Sequence, residues 1–209
     1  MIPLQRLIDL HIEERAGVPS NRELMWEKLG KWQIEQLINI GLKKDSNLLD
    51  IGCGPLRLGM YAIPFLEENH YFGIEVWEPY LKLGKRIMKE IGEKKNYKIV
   101  IDSDFNYEIF DANFDFAIAQ SVLTHMSNKQ ILKLIKSLKK VMKKNSKFIF
   151  TYNNNKFPYI EFYEMEHPMI TPANLDEDFF KKLILNYEIK FDKFDIQHPT
   201  GQKVGIITF

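Results

Sequence analysis

The chain has few of the residues that cross-link a protein or anchor it in a membrane. Cys53 is the only cysteine among 209 residues, which excludes an internal disulfide and a paired-cysteine metal site. No apolar run is long enough to cross a bilayer, and the first residues carry acids and arginines where a signal peptide has an apolar core. These features predict a cytoplasmic protein without membrane insertion.

The chain also lacks a strong charge of either sign. Lysine and arginine number 29 and the acids 28, so the formal net charge is +1. Such a balance supplies no field that concentrates a polyanion, and nucleic acid is therefore not an expected partner. Hydrophobic residues make up 45% of the chain, enough for one sizeable core. We expect one domain with a modest extension and a partner that is recognised locally; the oligomeric state is left open.

A glycine-rich break follows the first predicted strand. Residues 48–51 form a short apolar run around Asp50 that leads into Gly52 and Gly54. Glycine lacks Cβ, so it permits positive φ angles and lets a ligand approach the main chain closely. Pro55 suits the first turn of a following helix. The stretch predicts a strand, a ligand-binding loop and a helix.

The same stretch resembles motif I of the class I S-adenosylmethionine-dependent methyltransferases, in which an acid is followed by two glycines at alternate positions. Asp50, Gly52 and Gly54 match, whereas Leu56 stands where many members carry a third glycine. Nicotinamide-dependent dehydrogenases also place two such glycines after their first strand. Their third glycine would fall at Arg57, which is too bulky for the close helix packing that glycine allows there. A dehydrogenase is the less favoured alternative.

The rest of the chain alternates strands and helices. Further strands are predicted at 71–75, 98–101, 114–120, 147–152, 189–196 and 203–209. The order resembles the methyltransferase fold, which implies an α/β, Rossmann-like, seven-stranded, mostly parallel sheet with an antiparallel last strand and helices on both faces. Residues 1–46 are predicted to form a helical extension over the cofactor and substrate site, with a break at Gly30, and residues 47–209 the methyltransferase domain.

Acids follow the carboxyl ends of the predicted strands. Glu75 lies about 20 residues beyond Gly54, the spacing at which a carboxylate accepts hydrogen bonds from a ribose in nucleotide-binding folds; Glu78 is its competitor. The resemblance implies an adenine-binding acid after the third strand, and the spacing favours Asp104 over Asp102. The implied cofactor is S-adenosylmethionine, with S-adenosylhomocysteine as product. Its expected binding residues are Asp50, Gly52, Cys53, Gly54, Glu75, Val76, Asp104, Phe105 and Gln120.

The segment AQSVLTH, residues 119–125, matches motif IV of the same family, where the strand end borders the methyl group. His125 is the predicted general base for transfer to a hydroxyl, because neutral imidazole is abundant near pH 7; a capping or packing role is the alternative. No HExxH motif or paired-carboxylate spacing indicates a metal. The candidate substrate-binding residues are Trp32, Arg57, Tyr163, His167 and His198.

The segments GKWQ, GCGPLRLG, AQSVLTH and HPTGQ together resemble bacterial methyltransferases associated with the synthesis of surface polysaccharides such as capsule or lipopolysaccharide. The resemblance implies O-methylation of a small-molecule or carrier-linked glycan intermediate, on a sugar-type or phosphate-type oxygen. A phosphate-type oxygen is already anionic and needs no base. The alternative to an enzyme is a non-catalytic S-adenosylmethionine-binding or regulatory module.

Overall fold

The computed structural model describes residues 26–152 and 177–209. Residues 1–25 of the predicted helical extension and the candidates Tyr163 and His167 lie outside these residues. The strands are β1 (Leu48–Ile51), β2 (Tyr71–Glu75), β3 (Lys98–Ile101), β4 (Phe114–Ala119), β5 (Met142–Tyr152), β6 (Lys190–Phe194) and β7 (Lys203–Thr208). The helices are α1 (Trp26–Asn39), α2 (Gly59–Phe65), α3 (Glu78–Glu90), α4 (Asn128–Val141) and α5 (Glu177–Tyr187), with short 3₁₀ turns at Tyr107–Phe110 and Leu123–His125.

The seven strands form one sheet in the order β3-β2-β1-β4-β5-β7-β6. Neighbouring strands from β3 to β5 pair in parallel, whereas β7 pairs antiparallel with both β5 and β6. The predicted Rossmann-like sheet with an antiparallel last strand is therefore confirmed. The order reverses between β1 and β4, and open α/β sheets bind their ligands at the carboxyl ends of the strands at such a point.

Helices cover both faces of the sheet, as predicted. On one face, Leu49 of β1 lies in a core with Leu134 of α4 and Phe180 of α5. On the other face, Leu48 lies in a core with Leu37 of α1 and with Ala62 and Ile63 of α2. β1 is therefore buried along its whole length. No helix in the described parts of the chain is long and apolar enough to cross a membrane.

Helix α4 is capped by Ser127. The Ser127 hydroxyl accepts a hydrogen bond from the Gln130 main-chain N–H (3.3 Å), and the Gln130 side-chain oxygen accepts one from the Ser127 N–H (2.9 Å). This reciprocal capping box satisfies two amides that the helix itself leaves without partners. It also fixes the chain just after His125, the predicted base.

The predicted start of the helix after β1 differs from the structure. Pro55 does not open it, because Leu56 follows with a φ of 63°, in the left-handed region, and α2 begins only at Gly59. The residues between Gly54 and α2 form successive turns. The chain leaves the sheet through a longer loop than the position of the proline indicates.

The predicted break at Gly30 is wrong, because α1 passes through this residue without interruption. A Cβ atom at Gly30 would stand 2.5 Å from Cε2 of Tyr61 and 2.9 Å from the Arg57 carbonyl oxygen. Glycine therefore lets α1 lie directly against the segment that contains α2. The residue allows close helix packing, and this packing holds α1 against the sheet and its neighbouring helix.

We expect Gly30→Ala to destabilise the protein, although alanine favours a helix over glycine by about 1 kcal/mol. The added methyl group would meet a main-chain oxygen, and overpacking of this kind typically costs about 1 to 3 kcal/mol. Urea unfolding measures the change against Glu35→Ala, an exposed position on the same helix. A Gly30→Ala protein more stable than the wild type would contradict the close packing.

Candidate active site

The loop after β1 contains two glycines in the left-handed region, with φ of 67° at Gly52 and 54° at Gly54. A Cβ atom on Gly52 would stand 2.6 Å from Cγ2 of Val122, so the loop after β4 lies directly against it. A Cβ atom on Gly54 would meet no atom within 4 Å. The Gly52 and Cys53 N–H groups donate to the Ile74 carbonyl (2.8 and 3.0 Å). The loop is thus fixed to β2, with open space beside Gly54.

Glu75 at the end of β2 holds this loop from the other side. One carboxylate oxygen accepts from the Gly54 N–H (2.8 Å), and the other accepts from the N–H groups of Val76 (2.8 Å) and Trp77 (3.0 Å). A carboxylate has about four lone-pair positions, so about one remains for a ligand hydroxyl. Val76 is 60% exposed and Ile101, the register partner of Glu75, is 46% exposed. An acceptor carboxylate beside exposed apolar side chains suits a nucleoside.

Asp50 and Cys53 are turned into the protein. Asp50 is 2% exposed, and its carboxylate accepts a 2.6 Å hydrogen bond from the hydroxyl of Tyr71. Burial raises the pKa of Asp50 to about 7, although the Tyr71 hydrogen bond and the charge of Arg57 act in the opposite direction. Burial also raises the pKa of the Cys53 thiol. Cys53 Sγ lies 3.0 Å from the place where a Cβ on Gly73 would stand. In this arrangement both side chains pack in the protein interior and stabilise the loop from that side.

The two candidate acids after β3 have different surroundings. The Asp102 carboxylate accepts from the N–H groups of Asp104 (3.1 Å) and Asn106 (3.0 Å) and so closes the turn. The Asp104 side chain is 81% exposed and pairs with the Lys133 ammonium at 3.2 Å. The same ammonium lies 5.6 Å from the ring of Phe105, whose φ is 62°. Asp104 is therefore the acid with the more accessible carboxylate.

A network of side chains, here called the polar cluster, joins the carboxyl end of β4 to the turn between β6 and β7. Its members are Gln120, Ser121, Thr151, His198, Thr200 and Gln202. The Gln120 amide donates to the Ser121 hydroxyl (3.0 Å) and to the Gln202 amide oxygen (3.3 Å). The Ser121 hydroxyl donates to the same Gln202 oxygen (3.1 Å). The Ser121 main-chain N–H donates to the Thr151 hydroxyl (2.7 Å).

His198 is the buried member of the polar cluster, with 4% exposure. Burial lowers its pKa to about 4, so the ring is neutral at pH 7. The Thr200 main-chain N–H can only donate, and it donates to Nδ1 (3.2 Å). The single ring proton therefore lies on Nε2. Nε2 stands 3.0 Å from the Gln120 amide nitrogen and 3.3 Å from the Gln120 amide oxygen, and of these two atoms only the oxygen can accept from it.

Helix α1 reaches the polar cluster through Trp32. The Trp32 indole N–H donates to the Gln197 carbonyl (3.1 Å), and its ring stands edge-on to the ring of His198 at 4.6 Å. Trp32 is 9% exposed, so it packs the extension onto the β6–β7 turn. A cavity of about 380 Å³ opens on the outer side of this contact. Its lining residues are Lys28, Lys31, Trp32, Glu35, Gln197 and Pro199.

The remaining predicted residues lie apart from the polar cluster's hydrogen bonds. His125 is exposed in the 3₁₀ turn that follows Val122, and its main-chain N–H donates to the Val122 carbonyl (3.0 Å). The Arg57 guanidinium lies 5.2 Å from the ring of Trp26, towards α1. Among the described residues, no three His, Cys, Asp or Glu side chains gather as a metal site requires.

Sequence reasoning missed Ser121 and Gln202. Both lie in segments that the resemblance singles out, AQSVLTH and HPTGQ. A signal was present for Ser121, since it directly follows the end of a central strand. Gln202 joins the cluster only because the β6–β7 hairpin folds back beside β5, which the sequence pattern does not specify.

A family model described as a methyltransferase domain matches residues 42–199. The chain belongs to this family. Its membership confirms the predicted enzyme class, an S-adenosylmethionine-dependent methyltransferase. The narrower resemblance to enzymes of surface polysaccharide synthesis stays a prediction. No curated protein matches the chain by sequence.

Solved structures share the fold of this methyltransferase at low sequence identity. Magnesium protoporphyrin IX methyltransferase from Synechocystis, with bound S-adenosylhomocysteine, superposes with a TM-score of 0.69 at 11% identity, over 96% of this chain and 93% of the other. A Clostridium acetobutylicum S-adenosylmethionine-dependent methyltransferase gives 0.65 at 15%, over 98% of both chains. Phosphoethanolamine N-methyltransferase 1 from Haemonchus contortus gives 0.64 at 9%, over 99% of this chain and 50% of the other.

The buried Asp50 predicts a pH-dependent stability that Asp50→Asn removes. The folded carboxyl, with a pKa of about 7, binds its proton more tightly than the unfolded one, whose ordinary value is 3.8. The free energy of unfolding of the wild type should therefore fall, relative to Asp50→Asn, as the pH rises from about 4 to 7, and the difference should level off above that. Urea unfolding of both proteins across this range measures it. A difference that does not change with pH would contradict the buried, desolvated carboxyl.

Proposed function

We propose that this methyltransferase transfers the methyl group of S-adenosylmethionine to an oxygen of a small or carrier-linked acceptor. The observation that carries the proposal is the close approach of Val122 to Gly52. A Cβ atom on Gly52 would stand only 2.6 Å from Cγ2 of Val122. This approach places the β1 loop, suited to the cofactor, directly against the segment that leads from the polar cluster to His125. Donor and acceptor would then meet at the point where the strand order reverses.

The residues at the ends of β1 and β2 fit the cofactor. Glu75 would hold a ribose hydroxyl with its remaining lone-pair position, and the space beside Gly54 would admit the ligand to the main chain. Val76 and Ile101 offer exposed apolar surface to an adenine ring, with Asp104 nearby for its amino group. Asp50 would act indirectly, by supporting the loop through Tyr71.

The similar structures support the cofactor but leave the acceptor open. The Synechocystis enzyme has been crystallised with S-adenosylmethionine and with S-adenosylhomocysteine, and the Haemonchus enzyme with S-adenosylhomocysteine. Their names give a protoporphyrin and phosphoethanolamine as substrates, two acceptors with unlike chemistry on one fold. The acceptor must therefore be argued from this chain's own side chains.

A sugar-type acceptor is supported by the four segments whose combination resembles polysaccharide-associated enzymes. Trp32 of GKWQ contacts His198 of HPTGQ. His198 lies beside Gln120 of AQSVLTH. That segment also supplies Val122, which lies against Gly52 of GCGPLRLG. Segments far apart in the sequence thus form one continuous region, as expected if they serve one reaction.

When bound, S-adenosylmethionine supplies a methyl group already activated on a positively charged sulfur. The protein then has to align the acceptor and, for a hydroxyl, remove its proton. His125 is the proposed base, because it is exposed and follows the strand end that borders the cofactor loop. His198 is poorly suited to this role, since Nδ1 accepts from Thr200 and Nε2 carries the ring proton.

Replacing Glu75 with alanine should weaken S-adenosylhomocysteine binding tenfold or more. The change removes charge-assisted hydrogen bonds worth about 1.5 to 3 kcal/mol and releases the Gly54 loop. Calorimetric titration measures the affinity. Glu78→Ala is the matched control, because Glu78 is exposed and pairs with Lys82 on α3. Equal affinities of the two variants would place the ribose contact elsewhere, and no binding by the wild type would reject the proposed function.

Replacing His125 with alanine should lower kcat by about 10² to 10⁴ with little change in cofactor affinity, if the acceptor is a hydroxyl. Tritium transfer from labelled S-adenosylmethionine into a cell extract measures the rate. His70→Ala is the control, because His70 lies at the amino end of β2, whereas His125 lies beyond the carboxyl end of β4. A fall of less than about tenfold would remove His125 as the base and would favour an acceptor that arrives deprotonated.

A further inference from the structure

We propose that Ser121 and Gln202, together with Gln120, form an uncharged subsite that receives a neutral hydroxyl group of the acceptor, as on a sugar ring or another polyol. This inference rests on the proposed function and names the acceptor class. It assigns positioning of the acceptor to two residues, Ser121 and Gln202, that the sequence pattern did not indicate.

The position of Ser121 is the first support. It precedes Val122, which lies against the Gly52 loop, so the Ser121 hydroxyl lies close to the proposed cofactor site. Its φ of 58° is unfavourable for a residue with a side chain. The hydrogen bond from its N–H to Thr151 (2.7 Å) holds it there. A strained residue that its surroundings hold in place is typical of a functional position.

The charge of the polar cluster is the second support. None of its six side chains carries a formal charge at pH 7, because its one titratable member, His198, is held neutral by burial. A second barrier to protonation is the Thr200 N–H, which already donates to Nδ1 (3.2 Å). An anionic group that entered this cluster would lose its hydration without meeting a positive partner among these six side chains, which is costly. A neutral hydroxyl has no such penalty.

The remaining hydrogen-bonding capacity is the third support. The Gln202 amide oxygen accepts from Ser121 and Gln120, whereas no described residue accepts from the Gln202 amide N–H groups. Gln202 is partly exposed, so these donors can reach a ligand. The Ser121 oxygen keeps one lone pair beside the bond from Gln120. The subsite thus offers one acceptor and a pair of donors, and a hydroxyl group uses both kinds.

The residues already assigned account for every bond and proton in the methyl transfer. The bond between carbon and sulfur breaks with its electron pair left on sulfur, and the acceptor oxygen forms the new bond to the methyl carbon. The hydroxyl proton goes to the imidazole of His125. Ser121 and Gln202 take no proton and only hold the acceptor in place.

A binding experiment tests the subsite without an identified acceptor. Nitrogen-15-labelled protein saturated with S-adenosylhomocysteine is titrated with methyl glucopyranoside and, separately, with inorganic phosphate. Spectra of Gln202→Glu assign the Gln202 side-chain amide signals, which this variant lacks. We expect the glucoside to shift these signals and phosphate to leave them in place. No shift with the glucoside, or a shift with phosphate alone, would overturn the inference.

A second experiment uses the reaction. Gln202→Glu keeps the size of the side chain but replaces its donors with a negative charge, so methyl transfer to a neutral acceptor should fall about tenfold or more. Gln36→Glu on α1 makes the same chemical change where the glutamine oxygen only accepts from Asn39 (3.4 Å), and its rate should stay near that of the wild type. Equal rates for the two variants would overturn the inference.

The product distinguishes the remaining possibilities. With a carbon-13-labelled methyl donor and a cell extract, the inference requires a methyl ether that survives mild alkali. A methyl ester that releases methanol in alkali, or a methyl carbon coupled to phosphorus, would overturn the acceptor class while leaving the methyltransferase function intact. Failure to bind S-adenosylhomocysteine would instead reject the proposed function.

Discussion

The arrangement of the site depends on a missing side chain at Gly52. A Cβ atom there would stand 2.6 Å from Cγ2 of Val122, so the loops that follow the paired strands β1 and β4 can lie directly against each other because this residue is glycine. The approach joins two regions with different chemistry. On one side lie the carboxylate of Glu75 and exposed apolar surface, and on the other lie neutral amides and hydroxyls.

Local patterns were enough to locate most of the strands, whereas their arrangement in a mostly parallel sheet was implied by the resemblance to the methyltransferase fold. β2 and β3 occupy the predicted residues, because each is a short apolar run between clear turn signals. β5 begins at Met142, five residues before the predicted start, since its first part carries lysines and an asparagine that resemble a turn. The cap of α4 is likewise local, because it joins Ser127 and Gln130, which are three residues apart.

The predictions that failed depend on contacts between distant residues. Gly30 resembles a helix break in isolation, and only the proximity of Tyr61 explains why glycine is needed inside α1. The acids after the strands were identified as candidates from spacing, but the sequence could not show that Glu75 already holds three main-chain amides or that Asp102 closes its own turn. Hydrogen-bond saturation is a property of the folded structure.

The place of β7 in the sheet has a consequence for how the protein is made. β7 is the last strand in the chain, yet it inserts between β5 and β6, and the turn that precedes it carries His198 and Gln202. The residues of the cofactor side, Gly52, Gly54 and Glu75, are therefore synthesised well before His198 and Gln202. Because a domain generally folds as a unit, the two sides of the site assemble together once the β6–β7 hairpin is available. A chain shortened before this hairpin would keep every residue of the cofactor side and lose the acceptor side.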